Sequence, residues 1–203
     1  MRVSVFGLGY VGCVTSACLA RAGHEVVGVD INREKVEMVN AGRSPIVEPG
    51  LGELLESVVS SGRLRAVAST EEGVGRTDLA LICVGTPGRA NGQLDTNAVE
   101  RVAEEIGGVL RRRAHYTVVL RSTVLPGTVA GRLIPAIARG AGRDAGPWLG
   151  VASNPEFMRE GSALRDFAQP PMTLVGCAED TTAALLASLY EDVDNRRSRS
   201  SRH

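Results

Sequence analysis

The run Gly7-Leu8-Gly9-Tyr10-Val11-Gly12 constrains this chain more than any other feature. It leaves an apolar stretch of strand character at 3–6 and opens a stretch of helical period at 10–22. Each glycine has its own physical task at such a junction: Gly7 permits a tight turn, Gly9 lets backbone approach a pyrophosphate, and Gly12 lets helix and strand pack closely. The helix N-terminus adds unpaired N–H groups suited to an anion. Asp30 closes the next strand-like run, 25–29, where an acidic side chain takes both hydroxyls of an adenosine ribose and repels a 2′-phosphate. The pattern predicts a dinucleotide site with NAD favoured over NADP, against the alternative of a glycine-rich turn that holds no ligand.

Further apolar runs of strand length lie at 65–68, 79–84, 116–120, 148–152 and 173–175, and helical patterns at 33–41, 51–60, 96–111, 127–138 and 181–190 fill the gaps. Strands apolar throughout, separated by helices long enough to cross over, predict a parallel sheet covered on both faces. With 203 residues, 43% of them hydrophobic, the chain can bury one sizeable core. The expected fold is α/β, a doubly wound, mostly parallel sheet of Rossmann type forming a single domain over 1–190. The loops 42–50, 85–94 and 153–171 are rich in Gly, Pro or Asn and read as non-repetitive. Residues 191–203 lose apolar periodicity and end in an Arg/Ser run, which predicts a disordered tail.

Composition closes off other chemistries. Lys plus Arg and Asp plus Glu both number 23, so no overall field draws the chain to nucleic acid or to an anionic membrane. Lys35 is the only lysine and follows Glu34, which excludes a Gly-Lys-Ser/Thr phosphate loop and leaves a Tyr-x-x-x-Lys proton relay without its lysine. Cys13, Cys18, Cys83 and Cys177 form no C-x-x-C pair, and with three histidines they show no metal-ligand spacing, so the thiols are expected to be reduced. Glycines break the N-terminal apolar run before it reaches signal-peptide or membrane-spanning length, and a cytoplasmic location is expected.

Three further groups are candidates for the site. Lys35, on the first turns of a helix beginning at Asn32, either reaches the adenosine ribose or a phosphate, or stands solvated on the helix surface. Gly85-Thr86-Pro87 and Arg121-Ser122-Thr123 put hydroxyls at the carboxyl ends of two strands, and with the glycine run they predict a shared cofactor crevice. In Asn154-Pro155-Glu156-Phe157-Met158-Arg159-Glu160 the two carboxylates lie four residues apart and share a face if the segment is helical, one then orienting a substrate or a water. The alternative is an N-cap at Asn154 with Glu156 favouring the helix dipole.

Together these residues resemble the nucleotide-sugar 6-dehydrogenases of the UDP-glucose and GDP-mannose dehydrogenase type, from residue 1 to about residue 190. The likeness is carried by G-L-G-Y-V-G, S-P-I-V-E-P-G-L at 44–51, I-C-V-G-T-P at 82–87, R-S-T-V-L-P-G-T at 121–128 and N-P-E-F-M-R-E-G at 154–161. The forms S-P-I-V-E-P-G, R-S-T-V-L-P-G-T and Q-P-P-M-T at 169–173 are more similar to the GDP-mannose branch. The resemblance implies that Tyr10, Val11, Asp30, Lys35, Thr86 and Thr123 line the NAD site beside Gly7, Gly9 and Gly12. It also implies that Glu160 and Thr123 serve the catalytic machinery, Glu160 by placing substrate and water. The implied substrate is a nucleotide sugar, GDP-mannose converted to GDP-mannuronate or, in the other branch, UDP-glucose, in full-length relatives that are oligomeric. In that family two successive hydrides pass from the sugar's sixth carbon to NAD, while a cysteine holds that carbon as thiohemiacetal and then thioester until water releases the uronic acid.

The family's cysteine sits in a Gly-Gly-Ser-Cys loop of a later domain, and no such sequence occurs here. The expectation is a chain truncated before that cysteine, through a frameshift, a shortened gene or an artificial end, which binds NAD and is inactive alone. A noncatalytic NAD-sensing module and a gene remnant are the competing expectations.

Overall fold

Strands that are apolar on both faces need cover on both sides. The computed structural model, which describes residues 1–90, 92–191 and 193, supplies it. The strands are β1 (Arg2–Phe6), β2 (Glu25–Val29), β3 (Leu64–Val67), β4 (Leu79–Ile82), β5 (Tyr116–Leu120), β6 (Leu149–Ser153) and β7 (Gly176–Cys177). They form one sheet in the order β3-β2-β1-β4-β5-β6-β7, parallel through β6, with β7 antiparallel on the edge. The helices are α1 (Tyr10–Arg21), α2 (Arg33–Asn40), α3 (Leu51–Ser60), α4 (Thr70–Gly75), α5 (Asn97–Val109), α6 (Ile134–Ala141), α7 (Ala163–Ala168) and α8 (Asp180–Glu191).

Two cores follow from this arrangement. On one face Val3 and Val5 of β1 pack with Cys13 and Ala17 of α1, Leu55 of α3, Phe167 of α7 and Leu189 of α8. On the other, Phe6 and Ile82 pack with Val74 of α4, Ile106 of α5 and Ile137 of α6. This is the expected doubly wound α/β fold. Among the described residues no helix is long and apolar enough to cross a membrane. Most of the expected tail, Asp192 and residues 194–203, lies outside the described residues; Glu191 is the last residue of α8.

Several local features depart from the sequence pattern. The last strand is β7 and not 173–175, because Asn154 Nδ2 donates to the Leu174 carbonyl at 2.8 Å and the backbone meets β6 only beyond it. The helix expected over 127–138 begins as a π-helical turn at Val129–Leu133 and continues as α6 to Ala141, where Gly142 caps it at φ +64°. α4 and α7 are six residues each, too short to show a period, and α7 interrupts the loop expected over 153–171. α4 instead rests on Ser69, whose hydroxyl accepts the Glu72 amide at 3.4 Å, and on Gly73, where a Cβ would come within 2.4 Å of Val29 Cγ2.

α5 and α6 meet backbone to backbone: a Cβ at Gly140 would lie 1.9 Å from the Glu104 carbonyl oxygen, and one at Gly107 2.2 Å from that of Ile137. Gly140→Ala is expected to push the helices apart at a cost of about 1–3 kcal/mol. Thermal denaturation should show a lower Tm for it and none of that loss for Gly131→Ala, whose Cβ meets nothing within 4 Å. An unchanged Tm for Gly140→Ala would contradict the close crossing.

Candidate functional site

The chain winds from β1 to β2 and β3 on one side and returns to β4, β5 and β6 on the other, so the strand order reverses between the parallel neighbours β1 and β4. At such a switch point the carboxyl ends of neighbouring strands lead to opposite faces and leave a crevice above them. The glycine run leaves β1 there, and Gly85-Thr86-Pro87 follows β4.

Gly7 has φ +93°, and a Cβ on it would press on Val84 Cγ1 at 3.0 Å and the Cys83 carbonyl oxygen at 3.2 Å. A Cβ at Gly12 would sit 1.8 Å from the Gly7 carbonyl oxygen, so α1 approaches the turn as only a glycine allows. Gly9 is the opposite case, with nothing within 4 Å of where its Cβ would be. α1 begins at this open place with no side-chain cap and no acidic residue in its first turn, so none of its own side chains competes for the first amides. The residues present fit a pyrophosphate: an unfilled cradle over Gly9 at the positive end of a twelve-residue helix.

Asp30 turns toward this cradle. Its Oδ2 accepts from the Leu8 amide at 2.7 Å and its Oδ1 from the Asn32 amide at 2.9 Å. Lys35 Nζ stands 4.0 Å from Asp30 Oδ2, on a helix capped by Asn32, whose side chain accepts from the Glu34 and Lys35 amides. Tyr10 and Val11 occupy the first turn of α1 and are half-buried. At the neighbouring strand ends Thr86 Oγ1 donates to the Thr123 carbonyl at 2.9 Å, and Ser122 Oγ donates to the Val84 carbonyl at 2.6 Å. The glycines, Asp30 and Lys35 thus gather above β1, with Thr86 and Thr123 joined above β4 and β5.

The segment from Asn154 to Glu160 contradicts both sequence expectations made for it. It is not helical, so Glu156 and Glu160 share no helix face and Asn154 caps nothing. The reason is that Asn154, 1% exposed, is consumed inside the core. Its Oδ1 accepts from Arg121 Nη1 at 2.7 Å and from the Tyr190 hydroxyl at 2.5 Å, while Glu156 folds back onto the Met158 amide. Arg121, itself buried, also donates to Thr15 Oγ1 at 3.2 Å and lies over the Phe167 and Tyr190 rings.

Glu160 is exposed, and the residues that hold the backbone around it escape the sequence pattern. Glu48, only 7% exposed, accepts from the Tyr10 phenol and from the amides of Gly161 and Ala163, both at 2.8 Å. The phenol oxygen also lies 3.2 Å from the Gly161 amide and from the Arg159 carbonyl. Asp166 takes Arg159 Nε at 3.0 Å, Arg159 Nη2 at 2.9 Å and Ser162 Oγ at 2.9 Å. Glu48 lies in the S-P-I-V-E-P-G-L run at 44–51, set between Val47 and Pro49, but nothing local in that run shows which groups it meets.

Cys13, Cys18 and Cys83 are buried, and burial pushes them up to about 12, 11 and 12 respectively. At neutral pH they are protonated thiols and poor nucleophiles. Cys177, on the two-residue edge strand, is half-exposed. Among the described residues no group of His, Cys, Asp and Glu is placed to hold a metal ion.

Two predictions follow from these contacts. Gly12→Ala should lower the Tm through its collision with the Gly7 carbonyl, whereas Gly9→Ala should fold with little change; equal Tm values would contradict the packing. The second concerns acid. Burial acts to raise Glu48, but the Tyr10 phenol and the amides of Gly161, Ala163 and Leu164 outweigh it and hold the carboxylate below its ordinary value. The Arg159 guanidinium, against burial and with help from Ser162, holds Asp166 well below its own. Depressed carboxylates stabilise the fold fully above their unfolded values of about 4, and that stability is lost as pH falls from there through the folded values. The Tm measured against pH should drop over that acid range, and Glu48→Gln and Asp166→Asn should each flatten the drop; curves parallel to the wild type would contradict these assignments.

The chain matches the model of the UDP-glucose/GDP-mannose dehydrogenase family, NAD binding domain, over residues 1–194. It is 52% identical over 195 residues to the GDP-mannose 6-dehydrogenase of Pseudomonas syringae pv. syringae, a match covering 96% of this chain and 44% of that protein. It is 41% identical over 191 residues to the UDP-glucose 6-dehydrogenase of Pseudomonas aeruginosa, covering 94% and 42%. The crystal structure of a ternary complex of GDP-mannose dehydrogenase from Pseudomonas aeruginosa superposes with a TM-score of 0.94 at 45% identity, over 100% of this chain and 46% of that one. The chain therefore spans less than half the length of these relatives. With the glycine cradle, the Asp30 carboxylate beside it and this likeness in hand, the chain belongs to the UDP-glucose/GDP-mannose dehydrogenase family, of which it is the NAD binding domain.

Proposed function

We propose that this chain is the cofactor-binding part of a cytoplasmic GDP-mannose 6-dehydrogenase, and that alone it binds NAD without completing the oxidation. The observation that carries the cofactor assignment is the open position over Gly9 beside an Asp30 carboxylate anchored on the Leu8 amide. Gly7, Gly9 and Gly12, with Tyr10 and Val11 at the start of α1, receive the pyrophosphate. Asp30 accepts from the ribose hydroxyls with Lys35 beside it, and Thr86 and Thr123 border the rest of the crevice. Bound NAD supplies the hydride acceptor, and this chain supplies its grip, orientation and surrounding charge. Glu160 holds a sugar hydroxyl or a water, and Thr123, just past the end of β5, is the second member of the catalytic machinery. The raised thiols support a covalent step that draws its nucleophile from another part of an oligomeric protein. GDP-mannose is favoured over UDP-glucose as substrate by the higher identity, 52% against 41%, to the relative that acts on it.

Isothermal titration checks the cofactor. NAD should bind and NADP bind more weakly, and Gly9→Ala and Asp30→Asn should each weaken NAD by about tenfold or more, a loss of roughly 1.4 kcal/mol. Tight NADP binding with no response to NAD would refute the assignment. The substrate is checked by replacing the matching residues of a GDP-mannose 6-dehydrogenase, and separately of a UDP-glucose 6-dehydrogenase, with this chain and following NADH formation. Activity should return in the first chimera and fall with Glu160→Gln; recovery in the second alone would reverse the substrate assignment.

A further inference from the structure

Three stretches far apart in sequence meet at one buried carboxylate. Tyr10 is the first residue of α1, immediately after the open position at Gly9. Its phenol donates to Glu48, and Glu48 also receives the Gly161 and Ala163 amides. The two peptide groups flanking Glu160 are both within reach of that phenol: the Gly161 amide and the Arg159 carbonyl each lie 3.2 Å from its oxygen. Gly161 has φ +83°, a conformation that gives the backbone after Glu160 its sharp bend. Asp166 grips the Arg159 amide at 3.1 Å as well as its guanidinium, so the segment is held from the far side too.

A carboxylate with two oxygens and several lone pairs can take three donors at once, and a buried one must have them. Glu48 therefore does more than fill a loop: it ties the first turn of the cofactor helix to the backbone carrying Glu160. An anion seated on the first amides of α1 restrains the turn that begins with Tyr10, and with it the phenol that Glu48 and Gly161 share.

We propose that Glu48 is a positioning residue that couples the glycine run to the Glu160 segment, so that NAD over Gly9 stiffens the backbone presenting Glu160. This rests on the cofactor assignment above. The consequence is that the residue that meets the sugar is held more tightly once the hydride acceptor is present.

Backbone amide exchange in the intact 203-residue chain, read by NMR with and without saturating NAD, tests it. In the wild type NAD should slow exchange at Gly161 and Ala163 by about tenfold or more. In Glu48→Gln, which keeps the side chain's length but replaces one acceptor oxygen with a donor, that NAD-dependent slowing should vanish while titration still shows NAD binding within about threefold of wild type. A purely structural Glu48 would speed exchange equally with and without NAD and leave the ratio unchanged, which would overturn the coupling. Should Glu48→Gln fail to fold, Tyr10→Phe is compared at saturating NAD. Removing only the phenol oxygen should abolish the NAD-dependent slowing at Gly161, and a wild-type response there would equally overturn it. A wild type that binds NAD without any change at Gly161 and Ala163 refutes the coupling alone, whereas a wild type that binds no NAD refutes the cofactor assignment itself.

Discussion

Because Gly12 has no side chain, the first turn of α1 can lie on the carbonyl of Gly7, where a methyl group would stand 1.8 Å from the oxygen. Everything at the crevice depends on that approach. It fixes how α1 leaves β1, and so where the uncapped amides of the helix present their partial charge. It also fixes Leu8, which is fully buried against Gly28 of β2, where a Cβ would come within 2.8 Å of Leu8 Cδ2. Leu8 in turn gives its amide to Asp30, so that carboxylate is registered to the turn through backbone rather than through a flexible side chain.

The site is then completed by polar groups buried at some cost and fully paired. Glu48 and Asp166 are carboxylates held ionised by amides, a phenol and a guanidinium. Arg121 is the reverse case, a buried cation whose partners are neutral oxygens and two aromatic rings. Removing either side of such a network leaves a buried polar group without a partner, which is why these residues define one geometry for the loops they join. Function follows that division. The sheet and glycine run build a rigid cofactor platform, and buried ions fasten to it the irregular segment that carries Glu160.

Burial sets the chemistry of the thiols. Cys13, Cys18 and Cys83 serve as small packing groups, pushed by burial away from the thiolate form. At neutral pH none of these three offers a ready thiolate nucleophile.

Most of the fold was legible in the amino-acid order because its determinants are local. Continuous apolar runs of strand length marked β1 to β6 and period-3.6 patterns the longer helices, and the three glycine tasks and Asp30 depend on spacings within about 25 residues, a range in which connection lengths fix geometry. What was not legible is non-local or too short. α4 and α7 hold six residues each and show no period. The edge strand moved to Gly176–Cys177 because a side chain 20 residues away took a carbonyl. Asn154 reads locally as a helix cap, yet the tertiary fold spends it on Arg121 and Tyr190. Glu48 meets Ala163 across 115 positions, and Tyr10 meets Gly161 across 151, pairings that no window along the chain contains. The sequence by itself determined the wound sheet and the dinucleotide turn, since sterics of the backbone act between neighbours; only the packed structure decided which buried charges would find partners, since that depends on what the fold brings within 3 Å.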